Sequence, residues 1–418
     1  MRLIKLSLAA IVAAGALTSV ANATSLEEAI KNVEVTGYAR YRYDSESNTA
    51  GRAGVFGDVK KANTIGTHRF TSDIDFKAAI DDNFFGVIGF RYDSLDASGE
   101  RSGAKTNVGV DDNSKYYFGQ TFNVRQFYLG YTAGNTTLMA GRQVLGTFFT
   151  DDMVGTGIKV LNSDISGLTL AGMAFDNLQW DSDIGTNSLI LDTNDRLGYE
   201  YVTDRNLYGV AAIGSYDPIS FQLWYSALDS VAQLYAADVT LGASLGDVDL
   251  SLQAQAAGSS MLDNNAAVAG VPLKPVALDD ATFLAVELGA KAFGFDGSVG
   301  YVNLNTQGDG YSLISFEDQG GFITAGEDLL DYTVFNYDAN IYFVTAGYTF
   351  ADKVRVGADY VGARAEQRGN YADAYEAVAR VDYKYSKKLN FKAWYSYIDR
   401  DNTLKDNKHL RFEARYNF

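Results

Sequence analysis

The sequence predicts an all-β fold, a transmembrane antiparallel β-barrel of 18 strands with short turns at one rim and long loops at the other. First, apolar and polar residues alternate in segments of about ten residues, the period of strands with one apolar face. Second, only 3 prolines occur among 418 residues, and proline lacks the N–H that a sheet ladder needs. Third, no apolar run of about 18 residues follows the amino-terminal region, so any membrane crossing requires a closed barrel.

The carboxyl-terminal residues 409–418 form the clearest of these strands. Every second position is apolar or aromatic, and the pattern continues to the last residue: Leu410, Phe412, Ala414, Tyr416 and Phe418. Soluble chains usually end in frayed polar residues. A strand that ends on phenylalanine is typical of outer-membrane barrels, with a soluble sheet as the alternative.

Residues 1–23 have the organisation of a secretory signal peptide. Arg2 and Lys5 precede an apolar stretch over residues 6–20, and Ala21-Asn22-Ala23 supplies small residues for cleavage. We therefore expect a mature chain of residues 24–418, a single barrel domain exported to the bacterial outer membrane. Removal of the two basic residues takes the formal charge from −17 to −19.

The composition suits this location. The absence of cysteine excludes disulfides and thiol chemistry. The 28 tyrosines and 24 phenylalanines match the aromatic girdles that flank the apolar band of such barrels.

The alternation predicts the following strands in chain order: residues 35–43, 69–78, 84–92, 122–132, 136–142, 157–164, 168–175, 206–216, 220–226, 233–242, 248–257, 282–292, 295–303, 342–350, 354–360, 376–385, 391–397 and 409–418. Tight turns alternate with long links rich in glycine, aspartate and asparagine, which span residues 44–68, 93–121, 176–205, 258–281 and 304–340. Short connections at one rim and long ones at the other are typical of outer-membrane barrels.

If one face of each strand meets lipid, the other lines the interior, and this inner face is predicted to be charged throughout. A barrel of about 18 strands leaves an aqueous channel, in which charged side chains stay hydrated. The basic residues predicted to line the pore are Arg40, Arg42, Arg69, Arg91, Arg125 and Arg142.

The short third long-side loop, between residues 141 and 157, differs from the others. It carries Leu145, Phe148, Phe149 and Met153, which need cover from water. Folding into the barrel would cover them and place Asp151 and Asp152 in the pore, opposite the arginines, where the two signs of charge would create a transverse field. Packing against neighbouring loops at the rim is the alternative.

Several segments resemble the Campylobacter-type major outer membrane protein porins, among them Val124-Arg-Gln-Phe-Tyr-Leu, Val154-Gly-Thr-Gly-Ile-Lys-Val and Glu376-Ala-Val-Ala-Arg-Val-Asp-Tyr-Lys-Tyr-Ser. The resemblance spans the chain and is strongest in the strands. It implies a homotrimeric general-diffusion porin with 18 strands, an inward-folded third loop and a cation-leaning pore. It also implies a calcium ion near the constriction, with Asp152 and Asp183 as the matching ligand positions, although no EF-hand spacing supports one.

Other function classes find less support. The two histidines, without cysteine or a Gly-x-Ser-x-Gly motif, offer no catalytic constellation. A substrate-specific channel would need an aromatic track, for which only Tyr38 and Phe85 face inward, and a loop-mediated adhesin stays open. We therefore expect passive diffusion of small hydrophilic solutes and ions, in contact with outer-membrane lipid and lipopolysaccharide. A modest cation preference follows from the acidic loops.

Overall fold

The computed structural model describes residues 33–48, 63–94, 123–179, 184, 189–191, 199–262, 267–270, 274–307, 310, 312–313, 321–329, 335–367, 369–400 and 406–418. Eighteen strands in this part of the chain form one closed antiparallel sheet. They are β1 (Glu34–Asn48), β2 (Asn63–Ala79), β3 (Phe84–Asp93), β4 (Asn123–Ala133), β5 (Thr136–Val144), β6 (Val154–Asn162), β7 (Leu168–Asp176), β10 (Leu207–Tyr216), β11 (Ile219–Leu228), β12 (Ala232–Leu245), β13 (Val248–Met261), β16 (Ala281–Ala292), β17 (Phe295–Thr306), β18 (Asp338–Phe350), β19 (Val354–Gln367), β20 (Asn370–Lys384), β21 (Leu389–Arg400) and β22 (Asn407–Asn417).

Each of these strands pairs with its neighbour in the chain, and β22 pairs with β1 to close the barrel. Arg42 stands opposite Glu413 in this closing pair. The amide N–H groups of Gly37 and Phe418 each donate to the carbonyl oxygen of the other, at 3.2 and 3.1 Å. The predicted 18-strand barrel is therefore confirmed, and Phe418 takes part in its closure.

Several strands extend beyond the predicted ends. β1 and β2 stay paired as far as Asn48 and Asn63, and β19 and β20 as far as Gln367 and Asn370. The alternation weakens in these extensions because side chains above the lipid need no apolar face.

Four short strands form a sheet that is not hydrogen-bonded to the barrel sheet: β8 (Leu189–Leu191), β9 (Tyr199–Tyr201), β14 (Ala267–Gly270) and β15 (Lys274–Ala277). Its strands come from two links of the long-loop rim, and β14 pairs with β8 between them. The described residues include no helix that is long and apolar enough to span a membrane.

The outer face of the barrel is apolar, as the alternation predicts. Large exposed side chains such as Phe127, Leu129, Val299 and Tyr342 occupy the outward positions of their strands. Phe84 and Tyr131 form one of several aromatic pairs across neighbouring strands, with ring centroids 4.7 Å apart. A band of this kind matches the hydrocarbon layer of a membrane.

Candidate functional site

One part of the inner wall is highly charged. It comprises seven consecutive strands, β20, β21, β22, β1, β2, β3 and β4, and is called the polar arc below. Five of the predicted pore-lining arginines lie on it, and the structure turns them inward: Arg40, Arg42, Arg69, Arg91 and Arg125.

The rest of the interior is mostly apolar, so the prediction of a charged face throughout holds only in part there, at inward charges such as Lys159, Asp238 and Asp359. A buried apolar cluster occupies most of this space, with strand members from β5 to β19, such as Phe283 and Phe343, and loop members such as Phe148 and Phe335. At one edge it reaches Ala374 on β20 and Ile398 on β21. None of its buried members in the described chain lies on β1 to β4 or β22. Water-filled space therefore belongs beside the polar arc.

Arg142 is the exception among the predicted basic wall residues. On β5, Met139 and Gln143 are buried while Leu138 and Ala140 are exposed, so Arg142 has the outward phase. Its cross-strand neighbour is Phe127, which is 66% exposed on the outer face. The prediction that Arg142 lines the pore is therefore wrong, because the period of 2 places it outside, near the long-loop rim.

Four charged side chains join loop 145–153 to the polar arc, and they are called the latch below: Asp73, Arg91, Arg125 and Asp152. Arg91 binds both oxygens of Asp73 at 2.7 Å and also contacts Asp152. Arg125 bonds Asp73 at 2.9 Å and the backbone carbonyl of Asp152 at 2.5 Å. Two cations and two anions alternate, so the latch is neutral as a whole.

A β-bulge on β4 aims Arg125 at the latch. Gly89 pairs with Gln126 and Phe90 with Val124, which leaves Arg125 without a cross-strand partner on β3. Arg125 and Gln126 consequently both point inward, and Gln126 donates to Asp75 at 3.0 Å. Bulges commonly redirect a side chain in this way near functional sites.

Loop 145–153 has its apolar side chains covered within the protein. Leu145, Phe148, Phe149 and Met153 are all at most 2% exposed. Phe148 meets Phe322 edge to face at 4.7 Å, and the Phe148 carbonyl accepts the N–H of Gly321 at 2.8 Å. The loop therefore runs from β5 towards the link between β17 and β18.

The two acidic residues of this loop have different surroundings. Asp151 is exposed, whereas Asp152 belongs to the latch. Burial raises the pKa of Asp152, but the charges of Arg125 and Arg91 outweigh it and lower the pKa to about 2. The predicted field between separated charges does not describe Asp152, which directly contacts its arginines.

A second inward segment, residues 321–329, crosses the lumen and was not predicted. Gln255 on β13 holds one end, donating to the Gly321 carbonyl at 2.8 Å and accepting the Ile323 N–H at 2.7 Å. The other end contacts β20 and β22. Its signal was the apolar pair Phe322-Ile323 within the polar link 304–340, the same signal that singled out loop 145–153.

At this second end, the side chains of residues 327 and 328 pair with the polar arc. Glu327 binds Arg380 at 2.7 Å, and Asp328 lies 3.0 Å from Nδ1 of His409. The other ring nitrogen of His409 lies 3.0 Å from Asp44. Loop 145–153 and segment 321–329 thus form a bridge from β3 and β4 to β20 and β22, and this bridge separates the polar arc from the apolar interior.

Other charges of the polar arc are compensated locally. Arg42 binds Glu413 at 3.0 Å, and Arg69 binds Asp93 at 2.5 Å. Arg40 differs, because among the described residues its guanidinium has no carboxylate within salt-bridge distance. Arg40 and Arg415 instead flank the Tyr38 ring, at 5.6 and 3.9 Å from its centroid. Phe85 points inward as expected, beneath the ammonium of Lys77 at 4.7 Å.

The predicted calcium ligands do not form a metal site in the described chain. Asp152 binds two guanidinium groups, which would repel a divalent cation, and Asp183 lies outside the described residues. No group of three or more His, Cys, Asp or Glu side chains among the described residues is arranged to hold a metal ion. The calcium ion stays a prediction, and the latch argues against Asp152 as its ligand.

Comparison with known proteins agrees with this architecture. The sequence profile of the family described as Campylobacter major outer membrane protein matches residues 1–418. No curated protein matches the sequence.

Solved structures of outer-membrane channels share the fold. The chain is similar to OccAB3 of Acinetobacter baumannii, with 13% identity over 93% of this chain and 99% of that one and a TM-score of 0.67. It is also similar to OpdL of Pseudomonas aeruginosa, with 14% identity over 93% and 99% of the two chains and a TM-score of 0.63. At such identities the likeness concerns the fold.

Proposed function

Because this chain belongs to the Campylobacter major outer membrane protein family, it is an outer-membrane porin, and we propose that it passes small hydrophilic solutes and ions by diffusion with a modest cation preference. The polar arc is the observation that supports this most. It offers a hydrated path between the bridge and the strands from β20 through β1 to β4. The family and the fold are those of channels rather than of enzymes.

The cation preference depends on which charges act in the open pore. The latch is neutral, and Arg42 and Arg69 have carboxylate partners. Asp151 is an exposed carboxylate on the bridge, and the mature chain has a net acidic charge. Acidic groups at a pore mouth concentrate cations, within about 10 Å at 0.1 M salt.

Planar-bilayer recordings test this proposal. We expect open channels and a reversal potential of cation sign in a salt gradient, and we expect Asp151→Asn to shift that potential towards zero or anion selectivity. Asp247→Asn removes the same charge from the turn between β12 and β13, at the opposite rim, and serves as the matched control. We expect it to change the reversal potential little. Correctly folded protein without conductance would contradict the channel, and anion selectivity of the wild type would contradict the cation preference.

We also propose that the barrel assembles as a homotrimer and contacts lipid and lipopolysaccharide through its apolar outer face. A small outward residue such as Gly37 on β1 would allow two barrels to approach closely, but here it has another explanation. A Cβ at Gly37 would lie 2.0 Å from the backbone oxygen of Asp73 on β2, so the barrel itself requires glycine there. Support for the trimer therefore rests on the family.

A further inference from the structure

The crossing segment 321–329 depends on one buried carboxylate. We propose that Glu376 is a positioning residue of the pore, which holds this segment across the lumen and so limits the width of the conducting path. The inference rests on the proposed channel function. It assigns a role to a side chain that lines no open part of the pore, since Glu376 is 0% exposed.

The carboxylate of Glu376 binds the backbone of the segment. Oε1 accepts the N–H groups of Glu327 and Asp328 at 3.0 and 3.1 Å, and Oε2 accepts the N–H of Leu329 at 3.0 Å. Ser396 on β21 donates its hydroxyl to Oε1 at 2.6 Å. Successive N–H groups that converge in this way form an anion-binding concavity, and here a side chain of the barrel wall occupies it.

Gly326 makes this approach possible. Its φ is +77°, in the left-handed region that favours glycine. A Cβ on this residue would lie 2.2 Å from Oε2 of Glu376. The segment therefore has both the backbone conformation and the free space that the carboxylate requires.

Glu376 makes most of its hydrogen bonds to segment 321–329 rather than to the barrel wall. Burying a carboxylate is costly unless it is hydrogen-bonded, and no Lys, Arg or His lies within 4 Å of Glu376 among the described ion pairs. Three of its four hydrogen-bond donors belong to segment 321–329. An apolar residue would pack in the barrel wall equally well at this position. The acidic side chain is therefore explained by its hydrogen bonds to segment 321–329.

Neighbouring pairs support the same placement. Arg380 and His409 bind the side chains of residues 327 and 328, whose N–H groups bind Glu376. Each of these pairs holds one flexible side chain, whereas Glu376 fixes three backbone groups. Loss of the carboxylate should therefore free the backbone even while the side-chain pairs remain.

Two variants test the contact from its two sides. Glu376→Gln replaces one acceptor oxygen with a donor, and Gly326→Ala places a methyl group against Oε2. Both should raise the single-channel conductance. The matched controls are Gly369→Ala, where φ is +76° and no atom lies within 4 Å of the new Cβ, and Glu366→Gln, an outward carboxylate on β19. Neither control should change the conductance.

A second readout follows the segment directly. The chain has no cysteine, so Ala325→Cys introduces a single thiol at a position that is 7% exposed. We expect this thiol to react slowly with a charged thiol reagent in the otherwise wild-type protein, and faster when Glu376→Gln or Gly326→Ala is added. Glu376→Asp, which keeps the charge, should restore part of the protection.

The outcomes separate this inference from the channel function. If the wild type conducts but both variants leave conductance and thiol reactivity unchanged, Glu376 does not position the segment. If conductance rises only in variants that have lost β-sheet content, the effect is structural and the inference is also wrong. Absence of conductance in folded wild type would instead overturn the channel function itself.

Discussion

At the scale of single residues, the polar arc separates compensated charges from uncompensated ones. Arg42 and Glu413 form a pair at 3.0 Å. Arg40 has no such partner in the described chain and lies close enough to Asp152 to help lower its pKa. The distinction matters because the electric fields of two opposite charges in contact nearly cancel at distances greater than the separation of the charges.

Arg40→Gln should therefore increase the cation preference, since it removes an uncompensated positive charge near the bridge. Removing Arg42 and Glu413 together, as the double variant Arg42→Gln with Glu413→Gln, deletes a neutral pair and should leave ion selectivity nearly unchanged. Reversal potentials in a salt gradient measure the ion selectivity of the single and the double variant. An equal shift in the single and the double variant would contradict this account of the wall.

At the scale of elements, the latch fixes loop 145–153 to β3 and β4. Asp152→Asn removes charge-assisted hydrogen bonds and should therefore weaken the attachment of this loop to β3 and β4. Because Asp152 is partly exposed, the expected loss is about 1 kcal/mol. Amide hydrogen exchange in residues 145–153 should rise about fivefold. Asp249→Asn, at the opposite rim on β13, is the matched control and should leave this exchange unchanged.

The same ion pairs predict how the loop responds to acid. The pKa of Asp152 is lowered to about 2, from about 3.9 for a free aspartate. A lowered carboxyl pKa adds stability that is complete above the free value and lost as the pH falls through the folded value. Wild-type protection of residues 145–153, corrected for intrinsic exchange, should therefore persist from pH 7 to about pH 4. A loss of protection near pH 5 would mean that the latch is not the dominant restraint.

The strands were predictable because the two faces of each meet different solvents, so the period of 2 is imposed along the whole membrane crossing. The same period, followed strictly, would have placed Arg142 outside. Arg125 was predicted to face inward although the period of 2 puts it on the same face as the outward Phe127, and the bulge on β4, which the period does not show, is what turns it inward. Nor could the period place segment 321–329, whose partners Gln255 and Glu376 are distant in sequence.

At the scale of the whole molecule, the closed barrel satisfies its own backbone hydrogen bonds, so the proposed trimer would have to form through the outer faces of the barrels. Native mass measurement in a mild detergent should give three chains per particle. A monomer that conducts would contradict the trimer but leave the channel intact. Arg142→Gln, at an outward position near the long-loop rim, would show whether that rim contributes, through a reduced trimer fraction relative to Arg364→Gln at an exposed position on β19.

The pairing of β22 with β1 has a consequence for the order of events during biogenesis. Arg42 and Glu413 are 371 residues apart in the chain, so the first strand is synthesised long before its final neighbour. Until then β1 has an unpaired edge, which can recruit strands of other molecules. The growing chain therefore needs either a chaperone that shields this edge or an assembly machine that pairs with it temporarily, and release of the finished barrel must wait for the last ten or so residues to arrive.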